Sequence, residues 1–320
     1  MSTKFGIQIE PQLGFSYKGV EQIALEGEKA GYHSVWSSDH FFLNDKSENR
    51  DCMEAWTLLA ALASSTEKIK LGTLVTCNSY RHPAVLAKIA ATVDTISNGR
   101  LFFGIGAGWK KIEYRAYGIP FPPLKARMDR LEEALQIIRL LWTKPKATFK
   151  GKYYQIKDAL SAPKPVQKPM PPIMIGGSGE KRTLRMVAKY ADYCNLWLTP
   201  DLNHKLQVLK DHCKAIGRDY DSVGKSLFAS SGIFTTESEK ELKEHLTKRS
   251  KRNNVPVQKL KEIFSKDAPG SWVGYPEELL ERFRFLTDLG FDYFHIIFPG
   301  TDEDVLEASQ AFANLVMKRV

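Results

Sequence analysis

Apolar and polar positions alternate between two rhythms along this chain. Short β-rich runs are each followed by a longer stretch whose apolar residues recur at helical spacing. The short runs predict strands at Phe5–Ile9, Ser34–Ser37, Lys70–Val75, Leu101–Gly106, Ile173–Gly176, Cys194–Leu198, Ser226–Phe234 and Tyr293–Phe298. The longer stretches predict helices at Val20–Ala30, Glu54–Ser64, Pro83–Ile96, Met128–Trp142, Lys181–Ala191, Asn203–Ile216, Lys240–Arg252 and Val305–Lys318. A further helix, Pro276–Leu289, leads into the last strand and opens on a proline, which suits the first turn. Strands alternating with helices are the signature of a parallel sheet with crossover helices. Eight such units predict an α/β fold, a (β/α)8 TIM barrel of one domain over residues 1–320.

Two stretches interrupt the pattern, as insertions after strands four and seven. Thr148–Ile156, with Gly151 at its centre, reads as a β-hairpin, and the proline-rich Ala162–Pro172 as an extended loop. The second break is Asn253–Tyr275. Two helix-to-strand turns, Lys29-Ala30-Gly31-Tyr32 and Asp288-Leu289-Gly290-Phe291, share a glycine suited to a left-handed helix end.

Composition narrows the class. Hydrophobic residues make up 43% and charged residues 26%, ordinary for a globular protein. Cys52, Cys77, Cys194 and Cys213 lie far apart without a CxxC pair, so neither a disulfide framework nor a structural zinc site is expected, and no metal. No signal sequence and no run long enough to span a bilayer is apparent, so a cytoplasmic protein without membrane attachment is expected. The net charge of +9 is uneven: Lys240 to Lys266 holds nine Lys/Arg against three Glu, or +6. That segment lacks interleaved aromatics and any nucleic-acid motif. A solvated helical face or a basic rim is expected there rather than a nucleic-acid site.

The strand ends carry the candidate chemistry, since barrels of this kind work at the C-terminal ends of their strands. After strand two, Asp39 and His40 form a candidate acid/base pair, or a cap and a satisfied histidine. After strand three, Cys77 is a tempting nucleophile with no base placed beside it, and a packed thiol is the favoured reading. Arg81 and His82 before Pro83 are read as fixing the turn into a helix. After strand four, Gly104-Ile105-Gly106-Ala107-Gly108-Trp109 starts like a dinucleotide fingerprint but has Trp where the last glycine belongs. Glycines there let backbone amides approach a ligand, and Trp109 can wall a ring system. After strand five, Gly176-Gly177-Ser178-Gly179 precedes a helix whose free amides suit a phosphate, with Lys181 and Arg182 adding charge.

Five segments together carry a family resemblance: SDHF after strand two, TLVTCNSYRHPA after strand three, GRLFFGIGAGW at strand four, RLEEALQIIRLLW in the next helix and MIGGSG after strand five. Their order and spacing resemble the bacterial-luciferase-like superfamily, and within it the branch that uses the deazaflavin coenzyme F420. The likeness runs from Phe5 to Leu198 and returns at Gly274–Pro299; between Leu202 and Trp272 it is weak. It implies a coenzyme bound across the barrel mouth, with Asp39 and His40 at the ring and His40 near its C5 edge. It implies a cis Leu74–Val75 peptide in a bulge behind the ring, Cys77 nearby, and Ala107, Gly108 and Trp109 against the ligand. Gly176, Gly177 and Ser178 would hold the phosphate.

The family's sugar-phosphate dehydrogenases carry a carboxylate where this chain has Trp109, and Leu198 stands where a lysine is expected. The expected function is therefore hydride transfer between the deazaflavin and a small, apolar or flat organic substrate, not glucose 6-phosphate. The other readings are an FMN-dependent monooxygenase and a non-enzymatic flavin carrier. The resemblance also implies a homodimer.

Overall fold

The computed structural model describes residues 3–230, 232–263 and 271–320. In chain order its strands are β1 (Lys4–Ile9), β2 (Ser34–Ser37), β3 (Lys70–Thr73), β4 (Thr76–Cys77), β5 (Leu101–Gly106), β6 (Lys146–Lys150), β7 (Gln155–Leu160), β8 (Ile173–Gly176), β9 (Tyr193–Trp197), β10 (Gly224–Ser230), β11 (Gly232–Thr235), β12 (Ser271–Gly274) and β13 (Tyr293–Ile297). Nine of them form one parallel sheet in the order β3-β2-β1-β13-β10-β9-β8-β5-β4, and a further β3–β5 pairing closes it. β3 and β4 share one position in the ring, separated by a cis Leu74–Val75 peptide. The sheet is therefore a closed parallel barrel of eight positions, as the alternating pattern predicts.

Side chains alternate across each strand, which divides the core into two layers. Val35, Phe103 and Ile175 point outward into the large cluster shared with the helices. Their neighbours Trp36, Phe102 and Met174 point inward and, with Leu74, Phe228 and Tyr293, plug the barrel. This filled interior places any ligand space at the ends of the strands, not along the axis.

The helices are α1 (Tyr17–Ala30), α2 (Ala55–Ser65), α3 (Pro83–Ile96), α4 (Lys111–Ala116), α5 (Leu124–Thr143), α6 (Thr183–Tyr190), α7 (Leu202–Ala215), α8 (Glu239–Asn253), α9 (Val257–Ile263), α10 (Pro276–Asp288) and α11 (Asp302–Leu315). Local chemistry sets several ends. Ser16 caps α1 by accepting from the Gly19 amide, and Glu54 caps α2 through the Thr57 amide. His82 accepts from Ala84 at the start of α3, which fits its expected turn-fixing role. The matched glycines behave as predicted, Gly31 at φ 91° and Gly290 at φ 98°.

Two expectations need correction. The predicted strand Ser226–Phe234 is two elements: β10 stays in the barrel, while β11 leaves it to pair with β12. Residue 231 between them, and 264–270 within the predicted second break, lie outside the described residues. The short helices α4 and α9 were not expected, because six- and seven-residue segments show too little periodicity. The hairpin is present as β6–β7, and the loop after it packs on α3, where Gln167 binds both the Asp94 carboxylate and the Leu101 carbonyl.

The basic segment is a solvated face along Lys240, Lys243, Lys248, Lys251, Lys259 and Lys261, which are exposed, but part of it is packed. α8 lies against the acidic start of α11. Arg249 Nε is 3.3 Å from Asp304, Arg252 pairs with Glu303, Asp304 and Glu307, and Lys248 pairs with Glu307. Lys248, Arg249 and Arg252 are thus paired across the α8–α11 contact, Arg249 within the fold; Lys266 falls outside the described residues.

Candidate functional site

A cavity of about 580 Å³ opens at the C-terminal ends of the strands. Glu10, Gln12 and Leu13 reach it from the end of β1, and Ser38, Asp39 and His40 from β2. Leu74, Val75, Thr76 and Cys77 come from the β3–β4 break, Gly106 to Lys110 from β5, and Gly176 and Gly177 from β8. Asn195 and Trp197, Phe228 and Ile297 complete the wall from β9, β10 and β13. Of the residues the resemblance places at the coenzyme, Asp39, His40, Leu74, Val75, Cys77, Ala107, Gly108, Trp109, Gly176 and Gly177 line this cavity, whereas Ser178 does not, nor do Lys181 and Arg182. His40 and both glycine clusters therefore share one rim.

The floor is built by close backbone approach. Val75 projects from the break between β3 and β4 against two glycines. A Cβ on Gly106 would lie 2.8 Å from Val75 Cγ2, and one on Gly176 would lie 3.0 Å from Cγ1. A side chain at Gly106 would force Val75 to shift, and one at Gly176 would press tightly against it. Gly108, at φ 78°, is closed in by the Tyr114 hydroxyl, 2.0 Å from where its Cβ would be.

The structure does not pair Asp39 with His40. Asp39 is buried, and its carboxylate receives two bonds from Arg81, at 2.7 and 2.9 Å, and one from the Cys77 amide at 2.9 Å. Burial pushes its pKa up, opposed by the Arg81 bonds and charge and by the Cys77 amide. Arg81 also pairs with Glu54, so a buried ion cluster ties the ends of β2 and β4 to the start of α2. Asp39 shapes the site from behind.

The carboxylate beside His40 is Glu113, on α4. Nδ1 of His40 lies 3.0 Å from Glu113 Oε2, and the Trp109 ring stands edge-on to the imidazole at 5.6 Å. Sequence reasoning missed Glu113, since a lone glutamate among Lys110, Lys111 and Arg115 carries no motif. Its only signal was its place between Ile112 and Tyr114, just past the Gly-Trp end of β5.

Cys77 is a packed thiol. Burial pushes its pKa up to about 12, against the hydrogen bond with the Tyr114 hydroxyl at 3.0 Å. Trp109 and Trp197 are the exposed walls, with 72% and 56% of their surface open. Lys110 is the one cation among the described residues lining the cavity, and its ammonium is taken up by the Phe42 carbonyl and Glu113. Leu198 lies away from this cavity, in a separate apolar groove with Trp272 and Phe285.

At the β8 end, Gly177 turns at φ 122° and α6 starts without a side-chain cap. The Leu184 amide is taken by the Gly179 carbonyl at 3.0 Å, and no side chain of the cap residue Arg182 serves the remaining first-turn amides. Arg182 does not add free charge there, because it is bonded to Asp129 and the Lys125 carbonyl. No helix among the described residues is long and apolar enough to cross a membrane, and no group of three or more metal-ligating side chains is present among them.

Comparison with known proteins agrees with this geometry. A family model described as luciferase-like monooxygenase matches residues 1–319. An F420-dependent glucose-6-phosphate dehydrogenase of Amycolatopsis mediterranei (strain U-32) is 36% identical over 178 residues, 55% of this chain and 51% of that protein. The match thus spans about half the length of that relative. An enzyme of the same description from Microbacterium testaceum (strain StLB037) is 29% identical over 304 residues, 87% of this chain and 86% of that protein. Among solved structures, an F420-dependent secondary alcohol dehydrogenase in complex with an F420-acetone adduct superposes with a TM-score of 0.80 at 21% identity, over 99% of this chain and 98% of that one.

Proposed function

From the premise that this chain belongs to the luciferase-like monooxygenase family, we propose that it is a coenzyme F420-dependent oxidoreductase. It moves a hydride between the deazaflavin C5 and a small organic substrate other than glucose 6-phosphate. The observation that carries the reading is the shared rim: His40, the Val75 bulge and the two glycine clusters all border one cavity. The F420-dependent relatives support the cofactor.

The residues present fit a flat, phosphorylated ring system. Val75 against Gly106 and Gly176 makes a smooth floor, and the uncapped start of α6 offers amides to a phosphate. When bound, the deazaflavin supplies a carbon that gives or takes a hydride; the protein supplies orientation and exclusion of water. Leu74, Val75, Ala107 and Gly108 would border the ring, with Gly176, Gly177 and Ser178 toward the phosphate. Asp39 and Cys77 brace this wall, and Trp109 closes it beside His40. His40 takes or returns the substrate's proton at Nε2, the ring nitrogen that does not face Glu113.

The exclusion of glucose 6-phosphate rests on charge. A sugar phosphate needs cations, and the only one lining the cavity among the described residues is already paired. Exposed Trp109 and Trp197 suit an uncharged, largely apolar substrate. The same reading makes the chain one catalytic domain, working as a homodimer in the cytoplasm on small molecules and not on nucleic acid.

The test is production in a host that makes coenzyme F420, followed by mass spectrometry of the small molecule that co-purifies. Co-purified F420 with hydride exchange supports the reading. Bound FMN with oxygen-dependent turnover would replace it by a monooxygenase. Turnover of glucose 6-phosphate would remove the substrate exclusion alone.

A further inference from the structure

Burying a carboxylate is costly unless it is paired and hydrogen-bonded, and Glu113 is buried completely. Five donors converge on it. Oε2 accepts from the Tyr80 hydroxyl at 2.6 Å and faces Nδ1 of His40 at 3.0 Å. Oε1 accepts from the amides of Phe41 at 2.8 Å and Phe42 at 3.3 Å, and from Lys110 Nζ at 3.2 Å. Burial on its own would raise the pKa of this group. Bonds from His40 and Tyr80, the charge of the imidazole and the Phe41 amide instead bring it down to about 2.

The group is therefore ionised and can only accept. An accepting carboxylate requires Nδ1 to carry a proton, which in the neutral imidazole leaves Nε2 bare. The imidazole is also fixed in orientation, by the carboxylate on one side and the edge-on Trp109 ring on the other.

Resting on the reading that His40 handles the substrate's proton, we propose that Glu113 is the positioning residue of this reaction. It selects the His40 tautomer whose Nε2 is free, holds the ring in place, and stabilises the imidazolium once Nε2 has taken a proton. This is the third member of the nucleophile–base–orienter arrangement, transferred to a hydride-transfer site. Other charged or titratable groups near His40 are already engaged. Lys110 and Tyr80 are on the carboxylate, the Cys52 thiol donates to the His40 carbonyl at 3.2 Å, and Asp39 is paired with Arg81. Glu10, which lines the same cavity, accepts from the Gln8 and Gln12 carboxamides.

The deciding measurement uses the coenzyme-free protein labelled with 15N-histidine, with His40→Asn identifying the His40 signals by NMR. In its neutral form the wild-type ring is expected to carry its proton on Nδ1 and none on Nε2. In Glu113→Gln both tautomers should appear, because a carboxamide can donate to Nδ1 as well as accept from it. In the coenzyme-loaded enzyme, Glu113→Gln should lower kcat by about tenfold or more. Coenzyme Kd and substrate KM should stay unchanged, and Glu113→Asp should recover part of kcat.

An unchanged His40 tautomer in Glu113→Gln would overturn the proposal. So would parallel losses of kcat and coenzyme affinity, which would make Glu113 only a brace for the loop after β2. Should Glu113→Gln fail to fold, Tyr80→Phe withdraws one donor from the carboxylate without touching His40. The remaining bond from His40 Nδ1 should then strengthen and move the Nδ1 proton resonance downfield, and no movement refutes the assignment. A wild-type protein that binds no F420 would defeat the proposed function, yet the NMR result would still decide the role of Glu113.

Discussion

Replacing Arg81 by methionine isolates the ion cluster that holds the floor of the cavity. In the native fold the guanidinium makes two bonds to Asp39 and one to Glu54, and the Asp39 side chain is only 2% exposed. Methionine preserves much of the volume but leaves Asp39 with the Cys77 amide as its remaining partner. Removing one member of a buried pair costs about 3–5 kcal/mol, because the other charge is left uncompensated. An unfolding entropy of about 2.1 cal/mol/K per residue gives about 0.7 kcal/mol/K for a chain of 320 residues. The melting temperature should therefore drop by about 4–7 °C at neutral pH.

The sign with pH is fixed by Asp39. Its folded pKa already lies above the ordinary 3.8, chiefly through burial, and losing Arg81 raises it further. A raised carboxyl binds a proton more readily folded than unfolded, so stability declines as pH rises through the shifted range. The deficit of Arg81→Met should thus be largest at neutral pH and shrink on acidification. The double variant Asp39→Asn, Arg81→Met should recover most of it. Calorimetry across pH with all three variants measures this directly. A shift below about 2 °C at neutral pH, or a deficit that grows on acidification, refutes the argument.

Three further outcomes are expected. His40→Ala should lower turnover by about a hundredfold or more while the melting temperature and coenzyme affinity hold; intact turnover removes His40 from the chemistry. His295 and His33 have folded pKa values near 3 and 4, the first lowered by burial and then by His33, the second by burial and then by Lys4 and Lys70. The unfolded chain takes up these protons below about 6.5, so stability is lost as pH falls from there toward 4 and 3. His295→Phe should flatten this acid limb in pH-dependent denaturant titrations, and an unaltered slope counts against it. Asp304→Asn should destabilise the α8–α11 contact by about 3 kcal/mol, because it strips charge compensation from buried Arg249; urea unfolding reads the change, and an unchanged midpoint contradicts it.

The chain by itself determined the architecture. Each strand run is followed by an amphipathic partner, and that alternation is local information: eight units of it admit few folds other than a closed parallel barrel. It also marked Asp39, His40, Trp109 and the glycines at 106–108 and 176–177, because special residue types cluster at strand ends where chemistry collects. Pairings between distant residues were out of reach. Adjacency suggested Asp39 as the partner of His40, but both lie past the end of β2, where no strand period says which way a side chain points, so their partners were sorted by the fold. Arg81, 42 positions on, took Asp39, and Glu113, 73 positions on, took His40. Within the basic stretch the exposed lysines were legible as surface charge, but Arg252 was not legible as paired, since its acidic partners lie more than fifty positions away on α11. Composition and period are written in neighbouring residues, whereas the compensation of a buried charge is settled only when the barrel closes and brings strand ends together.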